Sequence, residues 1–338
     1  MSEILIAAVG DLMVKRYIIS DAKLANGTYS FDPLLEKVAP ILKKADLTIG
    51  NLETTFAGTK GGVRRKSRGP LFKCPDELAP VLKRAGFDVL ITANNHCMDF
   101  GAKGLLRTLR ILKQNGIDYT GTFESENKAK EYLIKNIKGV KTGILSFTSG
   151  LNGISVPSNK SWMVNLIQTK KIIEDIHHLK KHVDLVIIYL HFGNEYSHTP
   201  NLKQKQLVRL LFKHGANIIL GSHPHVLQPL STRGEQQFVA YSLGNFISTK
   251  LMKNSHTQSS IILNIKVKKN EEGKIFISET NYIPTLVHRK TENGRNKTEV
   301  ISIHEALNEN NPKLSAKQRE RFQNMLNQTK KIIKSKVE

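Results

Sequence analysis

The chain has 338 residues, enough for a large buried core, and its 51 lysine and arginine residues against 29 aspartate and glutamate residues give a net charge of +22. Its two cysteines exclude a disulfide framework, and no apolar stretch approaches the length of a membrane span, so no transmembrane anchor is predicted. The charge favours an anionic polymer or peptide, nucleic acid or anionic lipid as partner, although scattered lysines also serve solubility alone.

The two ends of the chain suggest its location and its division. The first apolar run, residues 4–9, is too short for the core of a signal peptide and lacks basic flanks, so we expect a cytoplasmic location. The best linker candidate is residues 308–312, Asn-Glu-Asn-Asn-Pro. We therefore predict one catalytic domain over residues 1–308 and a basic C-terminal helical extension over residues 309–338.

Strand-like runs alternate with helix-like runs along the chain, which is typical of an α/β fold. The predicted strands cover residues 3–10, 46–50, 88–93, 142–148, 184–190, 217–220, 238–242, 259–269 and 274–289, the last two as an antiparallel hairpin. The predicted helices cover residues 32–44, 76–84, 104–114, 166–181, 203–214 and 315–334.

Five short polar motifs each follow a strand-like run and contain metal-ligand or acid/base side chains. They are Gly10-Asp11, Asn51-Leu52-Glu53, Asn94-Asn95-His96, His191-Phe192-Gly193 and His223-Pro224-His225. Because strand ends converge at one edge of an α/β sheet, we expect these motifs to share one pocket. Carboxylate, amide and imidazole groups bind divalent metals, so the motifs indicate metal-assisted catalysis.

The last of these motifs is the most specific, because two histidines at i and i+2 in an extended loop point the same way. They can bind one metal, or one each of a close pair, and Pro224 fixes the backbone between them. His96 is the candidate catalytic acid/base residue, and Asp99, three residues on, is placed to orient its ring.

A dense basic run, Lys60 to Lys73, lies between two of the motifs and is a candidate substrate-facing loop. Its predicted substrate-binding side chains are Arg64, Arg65, Lys66, Arg68 and Lys73. Asn245 follows a further strand in Gly244-Asn245-Phe246, and it is predicted either to reach the substrate or to shape the pocket wall.

Together these motifs resemble the CapA-type, poly-γ-glutamate capsule-synthesis family, which is related to the calcineurin-like metallophosphoesterases. The resemblance covers about residues 3–250, with the motifs in the family's order. It implies a four-layer α/β/β/α metallophosphatase-like sandwich with one or two divalent ions, Mn²⁺, Fe²⁺ or Zn²⁺, at the strand ends.

By similarity, one metal is held by Asp11, Glu53 and His225, with Asn51 as a candidate bridge. The other metal is held by Asn95, His191 and His223, and His96 is the acid/base residue beside them. Two departures from the wider phosphoesterase pattern weaken one position: Met13 stands where that pattern has a histidine, and Asn51 where it has a bridging aspartate.

We therefore predict a metal-dependent enzyme, a hydrolase, that acts on an acidic polymer or peptide amide of the poly-γ-glutamate type. Soluble relatives that look like peptide-modifying enzymes keep a metal-dependent peptide epimerase open as an alternative. A metallophosphoesterase acting on phosphate esters is a further alternative, as is a non-catalytic polymer-binding module.

Overall fold

The computed structural model describes residues 2–58, 70–292, 294–308 and 314–337. The strands are β1 Ser2–Leu12, β2 Leu47–Asn51, β3 Val89–Ile91, β4 Asp118–Thr120, β5 Leu133–Ile137, β6 Val140–Thr148, β7 Leu185–His191, β8 Ile218–Ser222, β9 Leu230–Arg233, β10 Gln237–Ala240, β11 Asn245–Ile247, β12 Ser259–Lys269, β13 Ile275–Glu292 and β14 Arg295–Ser302. The helices are α1 Arg16–Ala22, α2 Asp32–Leu35, α3 Ala39–Leu42, α4 Leu78–Ala85, α5 Gly101–Gln114, α6 Thr169–Leu179, α7 Leu202–His214, α8 Ile303–Leu307 and α9 Ala316–Ile333.

The strands form two stacked sheets. The first has the order β14-β13-β12-β1-β2-β3-β4, with β11 beside the end of β1, and the second has the order β5-β6-β7-β8-β10-β9. Alternate residues of β1 face opposite sides: Ile4, Ile6 and Ala8 pack between the sheets, whereas Ala7 and Val9 pack under helices. Helices α6 and α7 cover the outer face of the second sheet. The predicted four-layer α/β/β/α sandwich is therefore confirmed.

Parallel pairing directs the strand ends to one edge. Strands β1, β2 and β3 run parallel in the first sheet, and β6, β7 and β8 do so in the second. The Tyr189 hydroxyl of β7 donates to the Val9 carbonyl of β1 at 3.0 Å and ties the sheets together near this edge. Residues that follow these strands therefore meet between the two sheets.

A backbone contact fixes the end of β1. A Cβ atom at Gly10 would lie 1.9 Å from the Gly244 carbonyl oxygen, so only glycine allows this approach. The Asp11 amide donates to the same oxygen at 2.9 Å, and Asp11 pairs with Asn245 across β1 and β11. Two site motifs far apart in the sequence are thus held by one rigid contact.

The structure differs from the predicted elements in three respects, the first of which is that short elements were not predicted: β4, β5, β9, β11, α1 and α8. The helix predicted over residues 32–44 is split into α2 and α3, because Pro40 has no amide hydrogen to donate to the Glu36 carbonyl and its ring crowds that carbonyl, so a second helix begins at Ala39. The predicted hairpin gains a third strand, since β13 pairs with both β12 and β14. Strand β14 begins with polar, exposed residues, so it lacks an apolar alternation over its first half.

The C-terminal helix packs on the main body of the protein. Phe322, Met325 and Leu326 of α9 contact a small core that includes Leu286 and Ile303. A capping box at its first turn begins α9 at the residue after Ser315. None of the helices in the described ranges is both long and apolar enough to cross a membrane. The domain division at residue 308 stays a prediction.

Helix α1 is tied to the outer strands by a charged cluster that makes stability depend on pH. Arg289 donates to both carboxylate oxygens of Asp21, at 2.8 and 2.7 Å, and the Thr298 hydroxyl donates at 2.6 Å. Burial acts to raise the pKa of Asp21, but these hydrogen bonds and the Arg289 charge outweigh it and lower the pKa. The ionised Asp21 carboxylate thus stabilises the folded protein at pH values above the pKa that this group has in the unfolded chain. This stabilisation is lost as the pH falls through the lower pKa of Asp21 in the folded protein.

We expect Asp21→Asn to reduce the free energy of unfolding by about 1–2 kcal/mol at pH 7, with the difference shrinking as pH falls below about 4. Urea unfolding across this pH range measures it. Asp32→Asn is the control, because its ion pair with Arg84 is exposed and should contribute under about 1 kcal/mol. An equal loss for Asp21→Asn at pH 3 and pH 7 would contradict the assignment.

Candidate metal centre

The five polar motifs meet at the common edge of the two sheets. Asp11 and Asn51 come from β1 and β2, and His191 ends β7. The remaining candidate ligands lie in loops after β2, β3 and β8; they are Glu53, Asn95, His223 and His225. All are buried except His223, which is partly exposed. The structure thus brings together every predicted ligand.

Asp11, Glu53 and His225 form the first half of the centre, with one ligand atom from each lying within 4.8 Å of the others. Glu53 is fully buried, and among the described residues neither of its carboxylate oxygens finds a hydrogen-bond partner. Burial, and then the negative charge of Asp11, raise the pKa of Glu53 well above its ordinary value. An unpartnered buried carboxylate is costly, and a divalent cation at this point would remove the cost. The donors therefore fit a metal.

Asn95, His191 and His223 form the second half. His191 Nε2 lies 2.9 Å from Asn95 Oδ1, and the His191 and His223 ring centroids are 4.8 Å apart. His223 Nδ1 is buried and has no hydrogen-bond partner in the described part of the chain. An imidazole nitrogen left open in this way is available as a ligand.

The imidazoles of this half are held neutral, which is the form that binds metals. Burial, and then the neighbouring histidines, lower the pKa of His191 well below its ordinary value. Burial, and then His225, lower the pKa of His223 to about 4. Both rings are therefore deprotonated at neutral pH.

Glu53 lies between the two halves. Its Oε1 atom is 3.7 Å from His191 Nε2 and 3.9 Å from His225 Nε2. These separations are close to the spacing of two ligands on one divalent ion, which is about 3–4 Å for bonds of about 2.1 Å. Glu53 is therefore placed within reach of candidate ligands from both halves.

Asn51 has a different part in this arrangement. Its Nδ2 donates to Asp11 Oδ1 at 2.7 Å and lies 3.3 Å from His191 Nδ1, while its Oδ1 accepts from Asn94 Nδ2 at 3.1 Å. The predicted bridging role needs Oδ1 to face the metal, which would require the amide to turn over. In this orientation Asn51 contacts Asp11 and His191 through its nitrogen, and its predicted bridging role stays a prediction.

The backbone of the double-histidine motif departs from the predicted extended loop. His223 and His225 have φ values of 96° and 58°, in the left-handed region that favours glycine. Such conformations cost about 1–3 kcal/mol each and persist where the surroundings impose them. Here the His223 amide points at Asp11 Oδ2, at 3.4 Å, and the two rings reach opposite halves of the centre.

The Asn245 side chain is hydrogen-bonded within the protein, and its predicted substrate contact stays a prediction. Its Oδ1 lies 3.0 Å from His225 Nδ1, and its Nδ2 donates to the Thr257 carbonyl at 2.9 Å. Both ends of this buried amide are thus occupied within the protein. A proton on His225 Nδ1, donated to Asn245, leaves Nε2 free for the metal.

His96 and Asp99 form a buried dyad beside the centre. His96 Nδ1 lies 2.9 Å from Asp99 Oδ2, which also accepts the Phe72 amide at 2.6 Å. His96 Nε2 lies 3.3 Å from Asn152 Nδ2. The Asn152 amide hydrogens therefore face an unprotonated Nε2, and the ring proton lies on Nδ1 toward Asp99.

Asn152 joins this dyad to the metal centre. Its Oδ1 accepts from Asn95 Nδ2 at 3.2 Å. If Asn95 presents its Oδ1 to the metal, its amide nitrogen must face Asn152 Oδ1, and the Asn152 nitrogen must then face His96. Sequence reasoning missed Asn152; the only local signal is the Asn152-Gly153 pair, typical of a turn, and Asn152 has a left-handed φ of 52°.

The predicted substrate loop is only partly described. Arg64, Arg65, Lys66 and Arg68 lie outside the described residues, and their predicted role stays a prediction. Lys73 is described, and its ammonium lies 5.6 Å from the Phe100 ring centroid, next to Asp99 in the chain. Two further side chains were missed: Ser222, whose Oγ is 2.9 Å from His191 Nδ1, and Lys15, whose charge acts on Glu53.

The two-sheet sandwich is a metallophosphatase fold. A Staphylococcus aureus protein assigned as a 5′-nucleotidase superposes with a TM-score of 0.54 at 14% identity, over 96% of this chain and 58% of that one. Haemophilus influenzae NAD nucleotidase superposes with a TM-score of 0.51 at 16% identity, over 99% of this chain and 57% of that one. At this identity the likeness concerns the fold.

The family described as bacterial capsule synthesis protein PGA_cap matches residues 5–250, and the chain belongs to that family. Capsule biosynthesis protein CapA of Bacillus anthracis is 32% identical over 245 residues, which is 71% of this chain and 58% of that protein. PGA biosynthesis protein CapA of Bacillus subtilis (strain 168) is 32% identical over 287 residues, 84% of this chain and 71% of that protein. The chain thus spans little more than half of the first relative.

We expect Glu53→Gln to stabilise the metal-free protein by about 1–3 kcal/mol at pH 7, because it removes an unpartnered buried charge. The same change should abolish the rise in melting temperature that metal gives to the wild type. Thermal unfolding in chelator and then in Mn²⁺ or Zn²⁺ measures both effects. Glu36→Gln, on an exposed residue, is the control and should change neither. A metal-free Glu53→Gln protein less stable than the wild type would contradict this account.

Proposed function

We propose that this chain is a metal-dependent hydrolase that acts on amide bonds of an acidic polymer or peptide of the poly-γ-glutamate type. The observation that carries the proposal is the buried, unpartnered Glu53 carboxylate between the imidazoles of His191 and His225, beside the His96–Asp99 dyad. Family membership supports a role in capsule synthesis, and the net charge of +22 suits an anionic substrate.

The metal ligands divide into two sets. Asp11, Glu53 and His225 would hold one ion, and Asn95, His191 and His223 the other, with Glu53 shared between them. A bound divalent ion would polarise the substrate carbonyl and lower the pKa of a water molecule. The mixed oxygen and nitrogen donors suit Mn²⁺, Fe²⁺ or Zn²⁺.

His96 acts as the general base in this proposal. Its Nε2 lone pair takes a proton from the attacking water once the Asn152 amide moves aside, and the same nitrogen then donates that proton to the leaving amine. Asp99 stays ionised, accepts from Nδ1–H and stabilises the imidazolium that forms between these steps. The Phe72 ring, 4.3 Å from the His96 ring, excludes water from one side of the dyad.

A peptide epimerase is a second candidate, favoured by the same unprotonated His96 nitrogen. In that reaction His96 would remove a proton next to a carbonyl, and a proton from solvent would be delivered to the opposite face of that carbon, with no bond to nitrogen broken. Phosphoester hydrolysis is a third candidate, supported by the fold alone. Met13 disfavours it, because this residue packs in an apolar cluster with Phe72 and Leu251 at the position of the histidine in the wider pattern.

We expect the purified wild-type protein to bind about two divalent ions per chain, because both sets of donors are complete without Met13. His223→Ala should lose the second ion and keep about one. His304→Ala, on an exposed histidine far along the chain, should bind as the wild type does. Elemental mass spectrometry after reconstitution with each metal measures this, and a wild type that binds no metal would contradict the proposed function.

His96→Ala should reduce turnover by about 10²–10⁴-fold with unchanged metal content, because it removes the base and spares the ligands. Asn152→Ala should lower turnover less, by about tenfold. New amine ends released from poly-γ-glutamate measure hydrolysis. Deuterium taken from solvent into a peptide measures epimerisation, and an aryl phosphate reports phosphoesterase activity. Undiminished turnover in His96→Ala would rule out the assigned base.

A further inference from the structure

Lys15 is a partly buried cation beside the candidate metal centre. It lies between the end of β1 and the start of α1, four residues after Asp11. Its ammonium is 5.4 Å from the Phe72 ring centroid, and the Phe72 ring is in turn 4.3 Å from the His96 ring. The positive charge therefore lies in a cation–π contact with a ring that also packs against His96.

This lysine forms no ion pair with any described residue. Glu53 is the acid whose negative charge acts on the pKa of Lys15, yet neither Glu53 oxygen is hydrogen-bonded to this ammonium. Burial lowers the pKa of Lys15, and Glu53 only partly offsets this. By contrast, Lys128 and Lys266 have a raised pKa, because each is hydrogen-bonded to a glutamate. A partly desolvated ammonium without a partner is a binding site for an anion.

An apolar wall lies beside this cation. Met13, Phe72 and Leu251 pack together, with Tyr196 partly buried against them. Phe72 is fixed from both sides, since its amide donates to Asp99 and its carbonyl accepts from the Thr55 amide and hydroxyl at 3.2 and 2.9 Å. The wall is thus rigid and suits a short aliphatic chain.

We propose that Lys15 and the Phe72 ring form a carboxylate-binding subsite next to the metal centre. The subsite takes a carboxylate joined through a short aliphatic arm to the carbonyl group held at the metal. A γ-linked glutamyl residue has this chemistry, because its free α-carboxylate stands two methylene groups and the α-carbon away from the amide carbonyl. The subsite rests on the proposed function for its role in catalysis, and it selects acidic over neutral peptides.

The test uses simple diacids, so that it does not depend on the polymer being the substrate. Succinate, glutarate and adipate are titrated calorimetrically into the metal-loaded protein, and each is compared with the monocarboxylate of the same chain length. The wild type should bind at least one diacid about tenfold more tightly than its monoacid, the worth of one charge-assisted hydrogen bond.

The variants separate this subsite from general electrostatics. Lys15→Met should lose the diacid preference, and Lys15→Arg should keep most of it. Lys23→Met, on the exposed lysine after α1, removes the same charge and should keep all of it. Unchanged melting temperature and metal content in Lys15→Met show that the fold and the ligands are intact.

A wild type without diacid preference at any length, or a preference that survives in Lys15→Met, overturns the subsite. Turnover of poly-γ-glutamate is measured separately on the same preparations. Turnover without a Lys15-dependent diacid preference would leave the proposed function standing and remove the subsite. A Lys15-dependent preference without turnover would retain the subsite and remove the proposed function.

Discussion

The site depends on one electrostatic constraint: a carboxylate, Glu53, is buried without a hydrogen-bond partner in the described structure. Such a group opposes folding unless a cation or a proton accompanies it. The surrounding residues are consistent with a cation. Asp11 adds further negative charge at close range, and His191 and His223 are held neutral by burial. The Glu53 carboxylate therefore lowers the stability of the metal-free protein and at the same time increases the affinity for metal.

The second organising element is a chain of side-chain amides. Asn95, Asn152 and His96 are linked in order, and the orientation of each amide determines the orientation of the next. A metal that requires the oxygen of Asn95 therefore also determines which nitrogen of His96 carries its proton. Through this chain a candidate metal ligand and the candidate acid/base residue, which are neighbours in one loop, are also linked by a side chain from a second loop.

The fold and the convergence of the candidate ligands could be predicted from the sequence, because strand ends converge and each candidate ligand follows an apolar run. Loop geometry could not be predicted in this way. Lys15 and Asn152 reach the site through tertiary packing; no local pattern marks Lys15, and the Asn152-Gly153 pair marks only a turn. Whether Asn51 or Glu53 presents an oxygen to the candidate metal centre depends on the direction of the Asn51 side-chain amide. Only the hydrogen bonds with Asp11 and Asn94 determine that direction. The prediction of one helix over residues 32–44 is wrong for a local reason, because Pro40 interrupts the helical hydrogen bonds.

The contact of Gly10 with the Gly244 carbonyl has a consequence for metal selectivity. It locks Asp11 to Asn245 through the pairing of β1 with β11, and Asn245 in turn holds the His225 ring. The distance between these two ligands is therefore set by a backbone contact that cannot lengthen. A rigid spacing of this kind discriminates by ionic radius, because a large ion such as Ca²⁺ needs more ligands at longer distances than a compact site can provide. Gly10, which is not itself a candidate ligand, thus contributes to the selection of the cation at the candidate metal centre.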